Sequence, residues 1–366
     1  MGRQHQQRRQ MSRDEQIALL KAHGETDESI AALLAQSQHD QQQAATRTAA
    51  AGPPPPPKPK DVYRLRNWSA YNAALVQRGS LTVWFDEASL AAWCAPKDPT
   101  KVGAPTIYSD TAILCALTLK TVFRLPLRQT EGFVGSLIRL LKLSLPVPDY
   151  TTLSRRGKTL DVPLGNRQRD EPLHLVVDST GLKIFGEGEW KVRQHGWAKR
   201  RTWRKLHLGV DEATGEIVAQ LVTSNDVTDD SALRSLLEQV DDVVLQVSAD
   251  GAYDSSDCYS AIEALGALAV IPPDVTARDW GSDGARDRTV RRVNEIGRAA
   301  WKVESGYHRR SLAEVGMDRM KTIFGPALSA RTVENQQTEG AIRCRALNTM
   351  THLGMPDAYL FQRKTA

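Results

Sequence analysis

The stretch "LHLVVDSTGLKIF", residues 173–185, decides how the chain is read. It opens with an apolar run of the kind a buried central strand carries, and the run stops on a carboxylate, Asp178. A second run, "DVVLQVSADGAYD", stops in the same way on Asp250. Between them, "RKLHLGVDEATGEIVAQLVTS" reads as two antiparallel strands joined by the "GVDEATGEI" turn. "DDSALRSLLEQV" and "SSDCYSAIEAL" read as helices, and "ALAVIPP" as a further strand. Three strands, helix, strand, helix, strand and a last helix make an α/β fold, a mixed sheet with helices on its faces.

A buried carboxylate is costly unless it is paired or metal-bound, and open sheets bind ligands beyond strand ends. Two such strands side by side bring Asp178 and Asp250 to one edge. A lone strand-terminal Asp is more often a turn or cap residue, so a third acid matters. It comes from "YHRRSLAEVGMDRMKTIF", residues 307–324. At about 100° per residue, Tyr307, Arg310, Glu314 and Lys321 fall within one stripe roughly 60° wide. Leu312, Ala313, Met320, Ile323 and Phe324 fall opposite, as a core-facing surface. A polar stripe alone is what any solvated helix face has. Joined to two strand-end acids, it predicts three carboxylates able to hold two hard divalent ions, with Mg²⁺ the natural choice and Mn²⁺ a substitute. That chemistry displaces phosphodiesters and needs no covalent enzyme nucleophile.

The substrate is indicated by "WKVRQHGWAKRRTWRKLH", residues 190–207. It carries Lys191, Arg193, Lys199, Arg200, Arg201, Arg204 and Lys205 with Trp190, Trp197 and Trp203, and has no Asp or Glu. One-signed charge interleaved with Trp suits phosphate neutralisation with base stacking or wedging.

Upstream, residues 37–60 are rich in Gln, Ala and Pro, with five consecutive prolines, and read as a linker. They set apart residues 1–36, a pair of short helices around Gly24 whose role stays open. Residues 61–170 read as mostly helical. One helix starts at Ser109 and Asp110, one follows Pro126, and one follows the "LPVPD" break. Three short helices resemble a helix-turn-helix, with Arg155 and Arg156 on the last available to DNA; a plain helical bundle fits equally.

The 366-residue chain is 41% apolar and 25% charged, ordinary for a globular protein of two or three domains. Its net charge of +5 is too small to announce nucleic acid by itself. Four cysteines without CxxC spacing argue against zinc or a disulfide framework and suit a reducing cytoplasm. No apolar run is long enough to span a bilayer, and the amino terminus lacks a secretory core.

Together, "VVDSTGLKI", "GEGEWKVRQHGWAKRRTWRKLHLGVD", "SADGAYD" and the spacing of Tyr307, Arg310, Glu314 and Lys321 resemble the bacterial insertion-sequence transposases of the DDE class. More narrowly they resemble the IS-five family with its Tyr-Arg-Glu-Lys signature. "YRLRNWSAYNAALVQRGSLTVWFDE", residues 63–87, is similar to the amino-terminal region of those proteins, so the likeness runs over about residues 62–356. The resemblance implies a ribonuclease-H-like catalytic domain over 171–356, followed by a tail at 357–366 and preceded by a helical DNA-binding domain over 61–170. It implies that Asp178, Asp250 and Glu314 bind two metal ions, and that Tyr307, Arg310 and Lys321 position the transposon-end backbone. It further implies double-stranded DNA as partner, at least a homodimer in the synaptic complex, and a bacterial cytoplasmic, nucleoid-associated protein. A nuclease without strand transfer and a retired transposase acting as a repressor share these features. Asp254 and Asp211 are expected in turn or cap roles, and Thr180 in support of the acids. Only 63 residues separate Asp250 from Glu314, so a compact core is expected.

Overall fold

The computed structural model describes residues 63–96, 106–167, 171–184 and 203–361. The chain divides into two compact units, Met1–Arg64 with Leu360–Ala366, and Leu65–Tyr359. In the first, the Arg64 guanidinium lies 3.6 Å from the centre of the Phe361 ring. The second holds every element named below. Residues 1–36, the 37–60 linker and most of the basic Trp-rich segment lie outside the described residues.

The second unit opens with helices α1 (Trp68–Gln77), α2 (Leu81–Trp84), α3 (Glu87–Ala91), α4 (Asp110–Val122), α5 (Leu127–Leu140) and α6 (Tyr150–Arg156). Their starts follow local chemistry. The Ser109 hydroxyl accepts the Ala112 N–H at α4, and Asp149 accepts the N–H groups of Thr151 and Thr152 at α6, each satisfying donors that a helix start leaves open. Pro126 precedes α5, where its missing N–H costs nothing.

Strands β1 (Leu173–Ile184), β2 (Trp203–Asp211) and β3 (Ile217–Ser224) form an antiparallel meander. Helix α7 (Asp229–Leu237), strand β4 (Val244–Ser248), helix α8 (Ser256–Ala264) and strand β5 (Leu268–Val270) follow. Strand β4 runs parallel to β1, and β5 parallel to β4, so the order across the sheet is β3-β2-β1-β4-β5. The last elements are α9 (Ala285–Ile296), α10 (Arg298–Glu304), α11 (Ser311–Phe324), the short β6 (Ala327–Leu328) and α12 (Val333–Leu353). This is the mixed α/β architecture expected from the strand and helix order.

Side-chain alternation along β1 sorts the core into two layers. Leu173, Leu175 and Val177 pack with α7 and α8 on one face. Val176 and Leu182 face the other way, into a cluster with Ala313, Met317 and Met320 of α11, Ile342 and Leu347 of α12, and Ile113, Leu119 and Leu153 of the early helices. The amino-terminal helices therefore share a continuous apolar cluster with one face of the sheet. Helix α12 sits close against β3: a Cβ at Gly340 would come within 2.6 Å of Val222, so only glycine fits there.

Two local expectations are corrected. Asp178 does not end its strand. It is the sixth of twelve residues in β1, because pairing with β2 continues to Lys183 opposite Trp203. Residues 307–324 are not one α-helix: Tyr307–Arg310 forms a 3₁₀ turn that starts after Gly306, held at φ +68°, and the α-helix begins at Ser311. Eclipsed i, i+3 positions of a 3₁₀ turn still bring Tyr307 and Arg310 to one side, so the stripe survives the change.

Candidate active site at a gap in the sheet

Strand β1 has β2 along one edge from Leu175 to Lys183 without a break. On its other edge, pairing with β4 stops at Val176 opposite Ser248, and pairing with β6 starts only at Lys183 opposite Ala327. Asp178 and Thr180 lie in that gap. By alternation they share the face of Val176 and Leu182, toward α11. Carrying the β1–β4 register two residues onward puts Asp250 alongside Asp178. Asp250 is not in β4 itself; it caps the 3₁₀ turn Gly251–Tyr253, accepting the Ala252 N–H at 2.9 Å.

Helix α11 supplies the rest. Arg310, at its start, donates through Nη1 to Asp178 Oδ2 at 2.8 Å and through Nη2 to Glu314 Oε1. The Ser179 N–H also donates to Asp178 Oδ1 at 2.8 Å. Lys321 Nζ donates to Thr180 Oγ1 at 2.5 Å. The Tyr307 ring lies 5.8 Å from the Arg310 guanidinium and 5.0 Å from Lys302 Nζ, and 6.1 Å from the Trp301 ring. Burial pushes the Asp178 carboxyl above its usual range; Ser179 and Arg310 oppose this, while Asp250 and Glu314 push it further up. The same burial raises the Tyr307 phenol.

The charges of Asp250 and Glu314 thus both act on Asp178, with a single guanidinium between Asp178 and Glu314. As the side chains stand, no group of three His, Cys, Asp or Glu among the described residues could hold a metal ion; between Asp178 and Glu314 the place is taken by Arg310. The chemistry of the donor set nevertheless suits a hard divalent cation: three carboxylates from three elements, with more negative charge than Arg310 alone offsets.

Other expected residues have defined positions. Trp203 starts β2 with its ring 5.7 Å from Lys183 Nζ. Arg204 donates to Gln336 Oε1 at 2.8 Å, and Lys205 to Val227 O at 2.8 Å and Asp229 Oδ1 at 3.3 Å, so both are tied to neighbouring elements. Lys191, Arg193, Lys199, Arg200, Arg201, Trp190 and Trp197 lie outside the described residues. Arg155 is exposed, whereas Arg156 donates to Tyr108 O at 3.0 Å and pairs with Asp110 at 2.6 Å. Asp254 is buried against Arg286, at 2.9 Å, and also accepts the Asp274 N–H. Asp211 closes the β2–β3 turn by accepting the Ala213 and Thr214 N–H groups. Sequence reasoning missed the support of the 3₁₀ turn: Arg309 Nη1 meets Glu212 Oε2 at 3.0 Å. Nothing in either residue's local sequence points to a partner so far along the chain.

Residues 76–187 match a family model described as "Transposase DDE domain", and residues 169–349 match a second with the same description. The chain therefore carries a transposase DDE domain, a class of enzyme that uses divalent metal ions. It is a DNA transposase of the DDE class. Two solved structures are similar over much of their length: the piggyBac transposase synaptic complex with hairpin DNA (10% identity, 75% of this chain and 73% of that chain, TM-score 0.32), and the Drosophila P element transposase strand transfer complex (11%, 76% and 86%, TM-score 0.27). No helix among the described residues is long and apolar enough to cross a membrane.

Proposed function

We propose that this transposase is an IS-five-like enzyme of a bacterial insertion sequence, acting on its own terminal inverted repeats through a ribonuclease-H-like domain. Water attacks the phosphorus at the transposon end and the bond to the 3′-oxygen breaks, freeing a 3′-hydroxyl. That hydroxyl then attacks a phosphorus of target DNA, and the target's own 3′-oxygen leaves. The strand order β3-β2-β1-β4-β5, with β2 antiparallel to its neighbours, supports the ribonuclease-H-like reading.

The observation that supports the proposal is the gap in the sheet at Asp178, where the charges of Asp250 and Glu314 both act on its carboxylate and Arg310 joins it to Glu314. Asp178, Asp250 and Glu314 would hold two Mg²⁺ ions, which supply activation of the attacking oxygen and stabilisation of the leaving one. Arg310 then turns from the carboxylates to a phosphate, for which its planar fork is suited. Tyr307 backs the guanidinium, and Lys321 offers a point charge further along the helix. The early helices, with Arg155, serve as a DNA-binding part, and pairing of two ends calls for at least two protomers.

The test is a strand-transfer assay on a duplex carrying the inverted repeats that flank the gene. Mg²⁺- or Mn²⁺-dependent nicking and joining are expected. Nicking without joining would leave a nuclease, and binding without nicking a repressor.

A further inference from the structure

A groove of about 940 Å³ lies between α4–α6 and the chain that runs from the end of α11 into α12. Its lining contains six Lys or Arg and one acid, Glu339. Across the whole chain basic and acidic residues nearly balance, 48 against 43, so the groove concentrates positive charge. Part of that charge is used internally. Arg343 pairs with Glu339 at 2.6 Å and donates to Ala327 O. Arg124 donates to the carbonyls of Thr322 and Ile323, tying the α4–α5 turn to the end of α11. Lys120 donates to Ser329 Oγ at 2.8 Å. Arg128, Lys158 and Arg331 remain exposed around the rim, Arg128 over the Tyr150 ring at 4.6 Å. The floor is apolar, with Leu117, Leu153, Phe324 and Ile342 among its side chains.

Resting on the transposase reading, we propose that this groove is a second DNA-contact site, in which Arg128, Lys158 and Arg331 take consecutive backbone phosphates of the DNA leaving the carboxylate site. A cationic rim over an apolar floor suits phosphates outside and the less polar sugar faces within. Its position suits the same partner. Phe324, in the groove, is ten residues along α11 from Glu314, about 15 Å at 1.5 Å per residue. A duplex held at the carboxylates and running along α11 reaches the rim after about four or five base pairs, at 3.4 Å each. None of the three rim cations belongs to the acid-bearing stripe or to the basic segment at 190–207.

The test uses the full chain and an arbitrary 30-base-pair duplex, with affinity measured by fluorescence anisotropy between about 50 and 200 mM salt, a range over which phosphate contacts weaken strongly. The triple variant Arg128→Gln, Lys158→Gln, Arg331→Gln is expected to lower the slope of log K against log salt by about 2 to 3, near 0.9 per lost phosphate contact. Arg331→Ala alone should lower it by about 0.9. A control triple at exposed cations away from the groove, Arg139→Gln, Lys142→Gln, Arg234→Gln, should leave the slope near the unsubstituted value. Equal slopes for the groove and control triples, or no change with Arg331→Ala, overturn the groove site while leaving the transposase reading intact. Absence of salt-dependent DNA binding by the unsubstituted chain overturns both.

Discussion

Two Arg–Glu pairs, each four residues apart on a helix, sit in opposite surroundings. On α12, Arg343 and Glu339 are sealed, 4% and 7% exposed, and Glu339 also accepts the N–H groups of Ser329 and Ala330 and the Ser329 hydroxyl. Burial opposes ionisation of Glu339, but Lys120, Arg343 and those donors hold its carboxyl below the usual range. At the start of α11, Arg310 and Glu314 are 18% and 54% exposed, and the same guanidinium must also serve Asp178. The first pair has donors in excess of its single carboxylate and fixes the fold. The second has carboxylates in excess and faces water, an arrangement that accepts cations and phosphates from outside. Spacing and residue types are the same, with the order along the chain reversed; what sets the two apart in chemistry is the count of partners and the access of solvent.

The contrast breaks most sharply on activity. Asp178→Asn, Asp250→Asn and Glu314→Gln are each expected to lower Mg²⁺-dependent cleavage by about a thousandfold or more, since metal-stabilised charge is worth several kcal/mol in the transition state. Their melting temperatures should stay near that of the unsubstituted chain, because the site is half open. Full cleavage by any one of them would remove that residue from the metal-binding set. Glu339→Gln should do the opposite. It leaves Arg343 and Lys120 without their buried counter-charge, so stability to urea should fall by about 3–5 kcal/mol, measured as a shift in unfolding midpoint. A fall below about 1 kcal/mol, the range of a surface pair, would mean that the pair is far more hydrated than its burial indicates.

The same contrast explains what the sequence disclosed. Strands β1 and β4 were legible because "LHLVV" and "VVLQV" are short Val/Leu-rich runs, and the acids stood out because a carboxylate after such a run is unusual. The extent of β1 was not legible: Ser179 and Gly181 are weak strand formers, and the strand continues there because β2 pairs with it. Helix α12 passed unnoticed because Gln336, Glu339, Arg343 and Asn348 face inward, which erases the apolar period that marks a helix. Asn348, for example, is matched by both backbone groups of Ile217, a pairing between elements 131 residues apart. The groove was hidden for the same reason, its rim being assembled from α5, the residues after α6, and the stretch before α12. Local pattern reports what a segment offers to water or core; it does not report which distant charge arrives beside it.

A smaller effect is expected where the open site is braced from outside. Arg309 is exposed, yet its bond to Glu212 anchors the turn that carries Tyr307 and Arg310. Glu212 is therefore a positioning residue. Glu212→Gln should cost up to about 1 kcal/mol, or up to about fivefold in cleavage rate at saturating DNA, with DNA affinity unchanged and Glu212→Asp restoring part of the rate. Equal rates for Glu212→Gln and the unsubstituted chain would assign the turn's position to the packing of Tyr307 on Trp301 alone.

The smallest effect sharpens the sealed side of the comparison. His207 on β2 is fully buried, with Nε2 2.9 Å from Thr223 Oγ1 and Nδ1 3.7 Å from Asp229. Burial holds its imidazole below the ordinary value of 6.5; Asp229 opposes this and Lys205 adds to it. A lowered folded value means that folding favours the neutral ring. Its contribution to stability is then complete above about pH 6.5 and is lost as pH falls through the lower folded value. His174 shifts in the same direction, also by burial and against Glu212, so two imidazoles act together. Melting temperature should fall between pH 7 and pH 5, and His207→Gln, which keeps a partner for Thr223 without a titrating ring, should shrink that fall while His174 preserves the remainder. An unchanged fall would mean that water reaches His207 and that this face of the sheet is less tightly closed than the one beneath Glu339.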